Sequence, residues 1–313
     1  MSLIVTGSIG IDTIHTPTGR APDVLGGSAI YFAAAASFYG PVRLVGAVGD
    51  DFPDELEKPF HHFDIDLAGL EKRLGSRTFR WTGKYLDNMN DRETISVDLN
   101  VLAEDLPPVP ASFRDSEVLF LANTHPGGQL ALLEQFPQAK LVVADTMDLW
   151  IETEKDLLKT LLGKIDGLVL NDSEAHLLTG ETNIVRAGEA VLALGPKFVV
   201  IKKGEHGAFL LHADGAAALP AYPAKNVIDP TGAGDTFGGG MMGYLAATSG
   251  GMSGGNSMGT DASLARLKKA MAVGTVVASY NIEAFSLGRL MEISQADLNL
   301  RLAEYAAMLD VGA

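Results

Sequence analysis

The chain has 313 residues, 47% of them hydrophobic, with 39 Asp plus Glu against 24 Lys plus Arg for a formal charge of −15, and it has no cysteine. That length and apolar share suit one large α/β domain or two ordinary ones and exclude a disordered or collagen-like chain. Without cysteine there is no disulfide scaffold, thiolate nucleophile or thiolate metal site, and the acidic balance excludes nucleic acid as an expected partner because it lacks a basic footprint for phosphate backbones.

The opening MSLIVTGSIGIDTI carries only a short apolar run without a basic leader, so it reads as a strand rather than a signal peptide. No apolar run approaches the roughly 18 residues of a membrane span, and the Ala-rich stretch 30–38 suits a buried helix. A soluble, cytoplasmic protein with no membrane partner is expected. Short β-branched runs at 3–6, 42–48, 118–122, 141–144, 168–170 and 198–202 are mostly bounded by Gly, Asp or Asn. Amphipathic helical patterns over 153–162 and 184–194 separate the last three. This alternation predicts an α/β fold with a mostly parallel central sheet flanked by helices on both faces.

Two stretches break the rhythm. Residues 78–85 and 94–99 read as strands joined by the polar turn 87–91, a hairpin expected to stand off the main sheet as a flap, with Phe79, Trp81 and Tyr85 on one face. That aromatic stripe suits closure over a ligand, and it suits hairpin or dimer packing equally. The Gly/Ser-rich stretch 248–263 reads as a mobile loop.

The chemistry-bearing motif is Asp229-Pro230-Thr231-Gly232-Ala233-Gly234-Asp235, followed by a helical pattern. Its glycines admit a ligand close to the backbone, and Asp235 falls in the first helical turn, where exposed amides hold anions. An acid at a helix start is also favoured by the helix dipole alone. Asn171 and Glu174 stand three apart where a strand passes into a helix, which suits either an oxygen ligand pair or a helix start. Lys202 and Lys203 end a strand, so only one of them faces any given side. The seven histidines show no metal-ligand spacing.

In combination these motifs resemble the ribokinase, or PfkB, family of carbohydrate kinases. GAGD ending at Asp235 is similar to the family signature, and Asn171-Asp172-Ser173-Glu174 to its N-x-x-E motif. GSIGID ending at Asp12 resembles the first strand with a substrate-binding aspartate, and Gly26-Gly27 the di-glycine motif. Val45 to Asp51 resembles the strand and turn that follow, and Ile201 to Gly207 the strand end and glycine turn beside the nucleotide.

The resemblance implies a ribokinase-like fold with a β lid over the substrate site, the lid comprising 12–25 and 76–100 and the catalytic domain 1–11, 26–75 and 101–313. It implies an ATP-dependent kinase that phosphorylates a hydroxyl of a small sugar or sugar-containing metabolite. Asp235 is then the base, and the amides of Gly232, Ala233 and Gly234 form the anion hole. Asp12, Gly26, Gly27, Tyr31 and Trp81 are expected at the acceptor, and Lys202, Gly204, Gly207 and Met271 at the nucleotide. Asn171 and Glu174 are expected to hold Mg²⁺, while Asp229 and Thr231 match positions that bind a monovalent cation, K⁺, in some relatives. Tyr31 departs from the Asn that relatives acting on simple pentoses carry, and Met271 stands where some relatives offer adenine a polar group. The same pattern leaves open a nucleoside acceptor of the adenosine-kinase kind and a non-catalytic sugar or nucleotide sensor, against which Asp235, Asn171 and Glu174 argue. An exposed flap edge further suggests a homodimer through the lid.

Overall fold

The computed structural model describes residues 1–249 and 262–310, so the loop expected over 248–263 lies almost wholly outside the described residues. In chain order the elements are β1 (Leu3–Thr6), β2 (Gly10–Thr16), β3 (Gly19–Gly26), α1 (Ser28–Ser37), β4 (Val42–Gly49), α2 (Lys58–His62), β5 (Asp66–Arg73), β6 (Phe79–Tyr85) and β7 (Arg92–Asp98). There follow β8 (Val118–Leu121), α3 (Pro126–Leu133), β9 (Leu141–Asp145), α4 (Asp148–Thr153), α5 (Lys155–Leu162), β10 (Gly167–Asn171), α6 (Asp172–Thr179) and α7 (Ile184–Leu192). The chain ends with β11 (Phe198–Lys202), β12 (Ala208–His212), β13 (Gly215–Leu219), α8 (Ala233–Thr248), α9 (Leu264–Asn281) and α10 (Gln295–Leu309).

Nine strands form the main sheet in the order β13-β12-β11-β10-β9-β8-β1-β4-β5, parallel from β11 through β5 and antiparallel only at the β12 and β13 edge. Its central strands are uniformly apolar because both faces are covered. Alternate residues serve opposite cores: Leu3 and Val5 of β1 pack with α1, α8 and α9, whereas Ile4 packs with residues of α3, α5, α6 and α7. The Gly- and Ala-rich composition of α1 and α8 follows from their contact. A Cβ on Gly239 would lie 2.2 Å from the Phe32 carbonyl oxygen, so the two helices meet backbone to backbone.

The second sheet has the order β3-β2-β6-β7, two antiparallel hairpins joined through the parallel pair β2 and β6. Here the structure revises the reading of GSIGID. Strand β1 ends at Thr6, the chain crosses to the small sheet, and Asp12 lies inside β2 rather than at the end of the first main-sheet strand. The helix read over 153–162 also starts later, because Glu154 takes a non-helical φ of −128° between α4 and α5. Strands β5, β12 and β13 went unread. β5 is an edge strand of mixed charge (DLAGLEKR), and β13 (GAAAL) lacks β-branched residues, so neither carries a clear strand signal.

Candidate active site

The parallel register of β9, β10 and β11 gathers the polar ends of three strands. Asp145 pairs with Val169, and Asn171 pairs with Lys202, at the carboxyl ends where open α/β sheets hold ligands. Asp145 is 6% exposed, its Oδ1 accepts the Thr146 amide at 2.9 Å, and its Oδ2 lies 3.6 Å from Lys202 Nζ. Gln129 ties the neighbouring strand ends together by donating to the carbonyls of Leu121, Ala122 and Asp145. Burial opposes the charge on Lys202, but Asp145, Glu174 and Asp235 more than offset it and hold the ammonium above its ordinary range.

Asn171 and Glu174 form a reciprocal capping box at the start of α6. Asn171 Oδ1 accepts the Glu174 amide at 2.8 Å, and Glu174 Oε2 accepts the Asn171 amide at 2.7 Å. The two alternatives for this pair therefore coincide in part, since one oxygen of each residue is committed to the helix start. Burial, reinforced by the charge of Asp145, pushes the Glu174 carboxyl up to about 7.

Helix α8 opens on Gly232, whose φ of 72° is left-handed, and Asp235 follows in its first turn. The amide of Ala233 already donates to the Pro230 carbonyl at 3.1 Å. Among the described residues the amides of Gly232, Gly234 and Asp235 have no such partner, so Asp235 takes the place of Ala233 in the expected donor set. A Cβ on Gly234 would stand 2.9 Å from Lys202 Nζ, which places that ammonium beside the helix start. The Asp235 carboxyl is pushed up to about 7 by burial and then by Asp145, while Lys202 and Arg92 pull it down.

The loop before α8 is clamped from behind. Asp229 Oδ1 accepts the Thr231 amide at 2.8 Å and its Oδ2 accepts the Ser286 amide at 3.1 Å. Asn281 Nδ2 donates to the Thr231 carbonyl at 2.8 Å, and the Thr231 hydroxyl donates to the Tyr85 hydroxyl at 3.3 Å.

On the small sheet Asp12 pairs with Trp81, so both project from the same face. Asp12 is 4% exposed and its Oδ1 has no partner among the described residues. Burial raises its carboxyl to about 8, with the charges of Asp229 and Asp235 adding to the effect. Its Oδ2 lies 1.9 Å from where a Cβ on Gly26 would stand, so any larger residue there displaces the Asp12 carboxyl. Gly27 caps α1 at φ 101°. Tyr31, fully buried, sets its ring 2.3 Å from the position of a Cβ on Gly232, and its hydroxyl is likewise without a partner among the described residues. The half-buried Trp81 indole donates to the Thr94 hydroxyl at 3.2 Å.

The residues expected at the nucleotide differ in placement. Met271 is fully buried in the core, where it has no surface to offer adenine. Gly207 backs onto Leu219 and Pro220, serving the tight turn into β12, and Gly204 (φ 52°) approaches Asn90 of the hairpin turn. Conversely, Asp145, Arg92 and Asn281 belong to none of the sequence motifs, and Tyr85 is expected only within the aromatic stripe of the hairpin. As single residues on strand ends or helix ends they carry no spacing signal. Asn171 and Glu174, with Arg92 and Asp148, border a cavity of about 310 Å³.

A three-layered α/β fold with carboxylates and unpaired amides converging at its strand ends belongs to a phosphotransferase acting on an alcohol. The profile described as pfkB family carbohydrate kinase matches residues 12–292, and the chain belongs to that family. It is 30% identical over 248 residues to a cytidine kinase of Thermococcus kodakarensis, covering 77% of this chain and 87% of that one. Its fold is similar to the Burkholderia thailandensis nucleoside kinase solved in complex with inosine (TM-score 0.75, 19% identity, 98% and 99% of the chains covered). It is also similar to the Giardia lamblia ribokinase (TM-score 0.78, 16% identity, 97% and 99% covered). Among the described residues no helix is long and apolar enough to cross a membrane.

Proposed function

We propose that this kinase transfers the γ-phosphoryl group of ATP to a primary hydroxyl on the sugar of a nucleoside. The observation that carries the reading is the pairing of Asp12 with Trp81 on one face of the small sheet. A buried carboxyl group with a free oxygen accepts hydrogen bonds from sugar hydroxyls, and a half-buried indole beside it offers a flat apolar surface to a base. The cytidine kinase relative supports the same acceptor class.

Asp235 is assigned as the base. Phosphoryl transfer passes through a loose transition state in which the attacking hydroxyl loses its proton late, so a positioned carboxylate suffices. The amides of Gly232, Gly234 and Asp235 donate to the transferred group's oxygens, fixed in place before the reaction. Lys202, held by Asp145, adds a cation beside that helix start. Tyr31 is assigned to backing the Gly232 turn and closing the acceptor pocket from below. Asp229 and Thr231 are assigned to holding the loop, in place of the K⁺ role that the resemblance implies.

Mg²⁺ fits the oxygen donors of Glu174 and Asp145 through its own water, since Mg²⁺ keeps much of its hydration. Among the described residues no cluster of three or more His, Asp or Glu forms a closed metal cage, which agrees with a hydrated ion arriving on ATP. When bound it neutralises phosphate charge. Asn171 acts by fixing Glu174. The small sheet is assigned as the lid, spanning 12–25 and 76–100. Its β7 edge, exposed along its length with Ile95 58% and Val97 51% accessible, supports pairing of two copies, a state that light scattering reads.

The test is turnover with Mg-ATP on cytidine, inosine, adenosine, ribose and fructose, monitored by product phosphate ester. Preference for a nucleoside upholds the reading. Preference for a free sugar reassigns Trp81 to packing, and no turnover on any acceptor overturns it.

A further inference from the structure

We propose that Arg92, carried at the tip of the β6–β7 hairpin, is a further catalytic residue that contacts the terminal phosphates of ATP. This rests on the kinase reading above, and it makes one hairpin serve both substrates.

Arg92 opens β7 and pairs with Tyr85 across the hairpin. It borders the cavity of about 310 Å³ next to Asn171 and Glu174, together with the acids Asp148 and Glu152. Despite three carboxylates around that space, the Arg92 guanidinium has no hydrogen-bond or ion-pair partner among the described residues. Arg43, Arg73, Arg80, Arg289 and Arg301 have carboxylate partners, while Arg20, Arg77, Arg114 and Arg186, which do not border this cavity, have no ion pair among the described residues. Its place distinguishes Arg92: among the residues lining that cavity it is the one cation, open to an anion that enters beside Asn171 and Glu174. Its charge is already felt at the site, where it counters the burial of Asp235 and Glu174.

The hairpin is built to deliver it. Asn88 Oδ1 accepts the amides of Asn90 and Asp91, Asn88 Nδ2 donates to Asp91, and the Leu86 amide donates to the Asp91 carbonyl, so the turn is internally fixed. Asn90 then reaches the main domain, donating to Glu205 Oε1 at 3.0 Å and lying against Gly204 in the turn that follows Lys202. On the same strand β6, Trp81 pairs with Asp12 and Tyr85 meets Thr231. One rigid unit thus touches the acceptor face, the loop leading into α8 and the turn beyond Lys202. Arginine suits the task because its planar, permanently charged fork grips phosphate oxygens bidentately, where charge spreads as the phosphoryl group moves.

The experiment compares wild type, Arg92→Ala, Arg92→Lys and Asp235→Asn with cytidine and Mg-ATP, and in parallel measures binding of Mg-AMPPNP and of Mg-ADP. Arg92→Ala is expected to lower kcat by about a hundredfold or more, in line with arginines that stabilise phosphoryl transfer. The KM for cytidine stays within about threefold, and Arg92→Lys recovers only part of the loss. Guanidinium ion added to solution restores Arg92→Ala but not Asp235→Asn. A kcat within about threefold of wild type for Arg92→Ala overturns the proposal while leaving the kinase reading intact. If wild type is inactive on cytidine, the binding arm decides: Arg92→Ala weakening AMPPNP at least tenfold more than ADP upholds the contact, and equal effects overturn it.

Discussion

The Tyr85 hydroxyl at the end of β6 lies 3.3 Å from the Thr231 hydroxyl, in the loop that leads into α8, and both residues are buried. This bond ties the small sheet to the turn that aims Asp235. Tyr85→Phe removes it and little else. A buried hydrogen bond contributes about 1 kcal/mol, so kcat/KM for the acceptor should fall roughly fivefold with nucleotide affinity unchanged. Steady-state kinetics checks this, and an unaltered kcat/KM would confine the bond to a structural role.

Asp235→Asn keeps the shape of the α8 start but removes the proton acceptor. Turnover should drop by at least about a hundredfold while ADP and acceptor binding, measured by calorimetry, stay close to wild type. Because burial raises the wild-type carboxyl to about 7 and the base must be ionised, kcat/KM should decline as pH falls below about 7. A flat profile down to pH 5 would separate Asp235 from the proton transfer.

Gly26→Ala places a methyl where the Asp12 carboxylate now sits, 1.9 Å from Oδ2. The carboxylate must turn away, so the KM for the acceptor should rise at least about tenfold, with kcat falling by less, since Asp235 and the α8 amides are untouched. Equal losses in kcat and kcat/KM, with KM unchanged, would contradict a role for Asp12 confined to acceptor binding.

Asp12→Asn should stabilise the fold while abolishing tight acceptor binding. The folded carboxyl holds its proton up to about pH 8, whereas the unfolded one loses it near 3.8. Between those values the folded state binds more protons, so wild-type stability falls as pH rises and levels off above about 8. The amide has no such titration. Its advantage in urea unfolding should be small at pH 4 and grow to several kcal/mol, as an upper bound, at pH 8.5. An advantage independent of pH would mean that Asp12 is ionised in the folded protein at neutral pH.

The parallel core was legible because strands covered on both faces must be apolar throughout, as in Leu3 to Thr6 and Phe198 to Lys202. Asn171, Glu174 and Asp235 were legible for a related reason: each sits at a helix start, where spacing along the chain equals spacing in space. Asp145 was not, because its neighbours Lys202 and Glu174 reach it only through strand register and a buried ion pair. Arg92 was hidden for the same cause, its surroundings being set by how a hairpin docks rather than by its own sequence. The place of Asp12 was misread because the chain changes sheets between Thr6 and Gly10, a crossing that a run of small residues does not announce.

At Gly26 a carboxylate, and at Gly232 an aromatic ring, occupy the space where any other residue would carry its first side-chain atom. Neither glycine offers a side-chain functional group, yet a saturation mutagenesis map should mark both as intolerant as Asp235 itself. New acceptor preferences during divergence are therefore channelled to the small-sheet face that Trp81 and Thr94 share, where side chains can be exchanged without evicting a neighbour from a bare α-carbon.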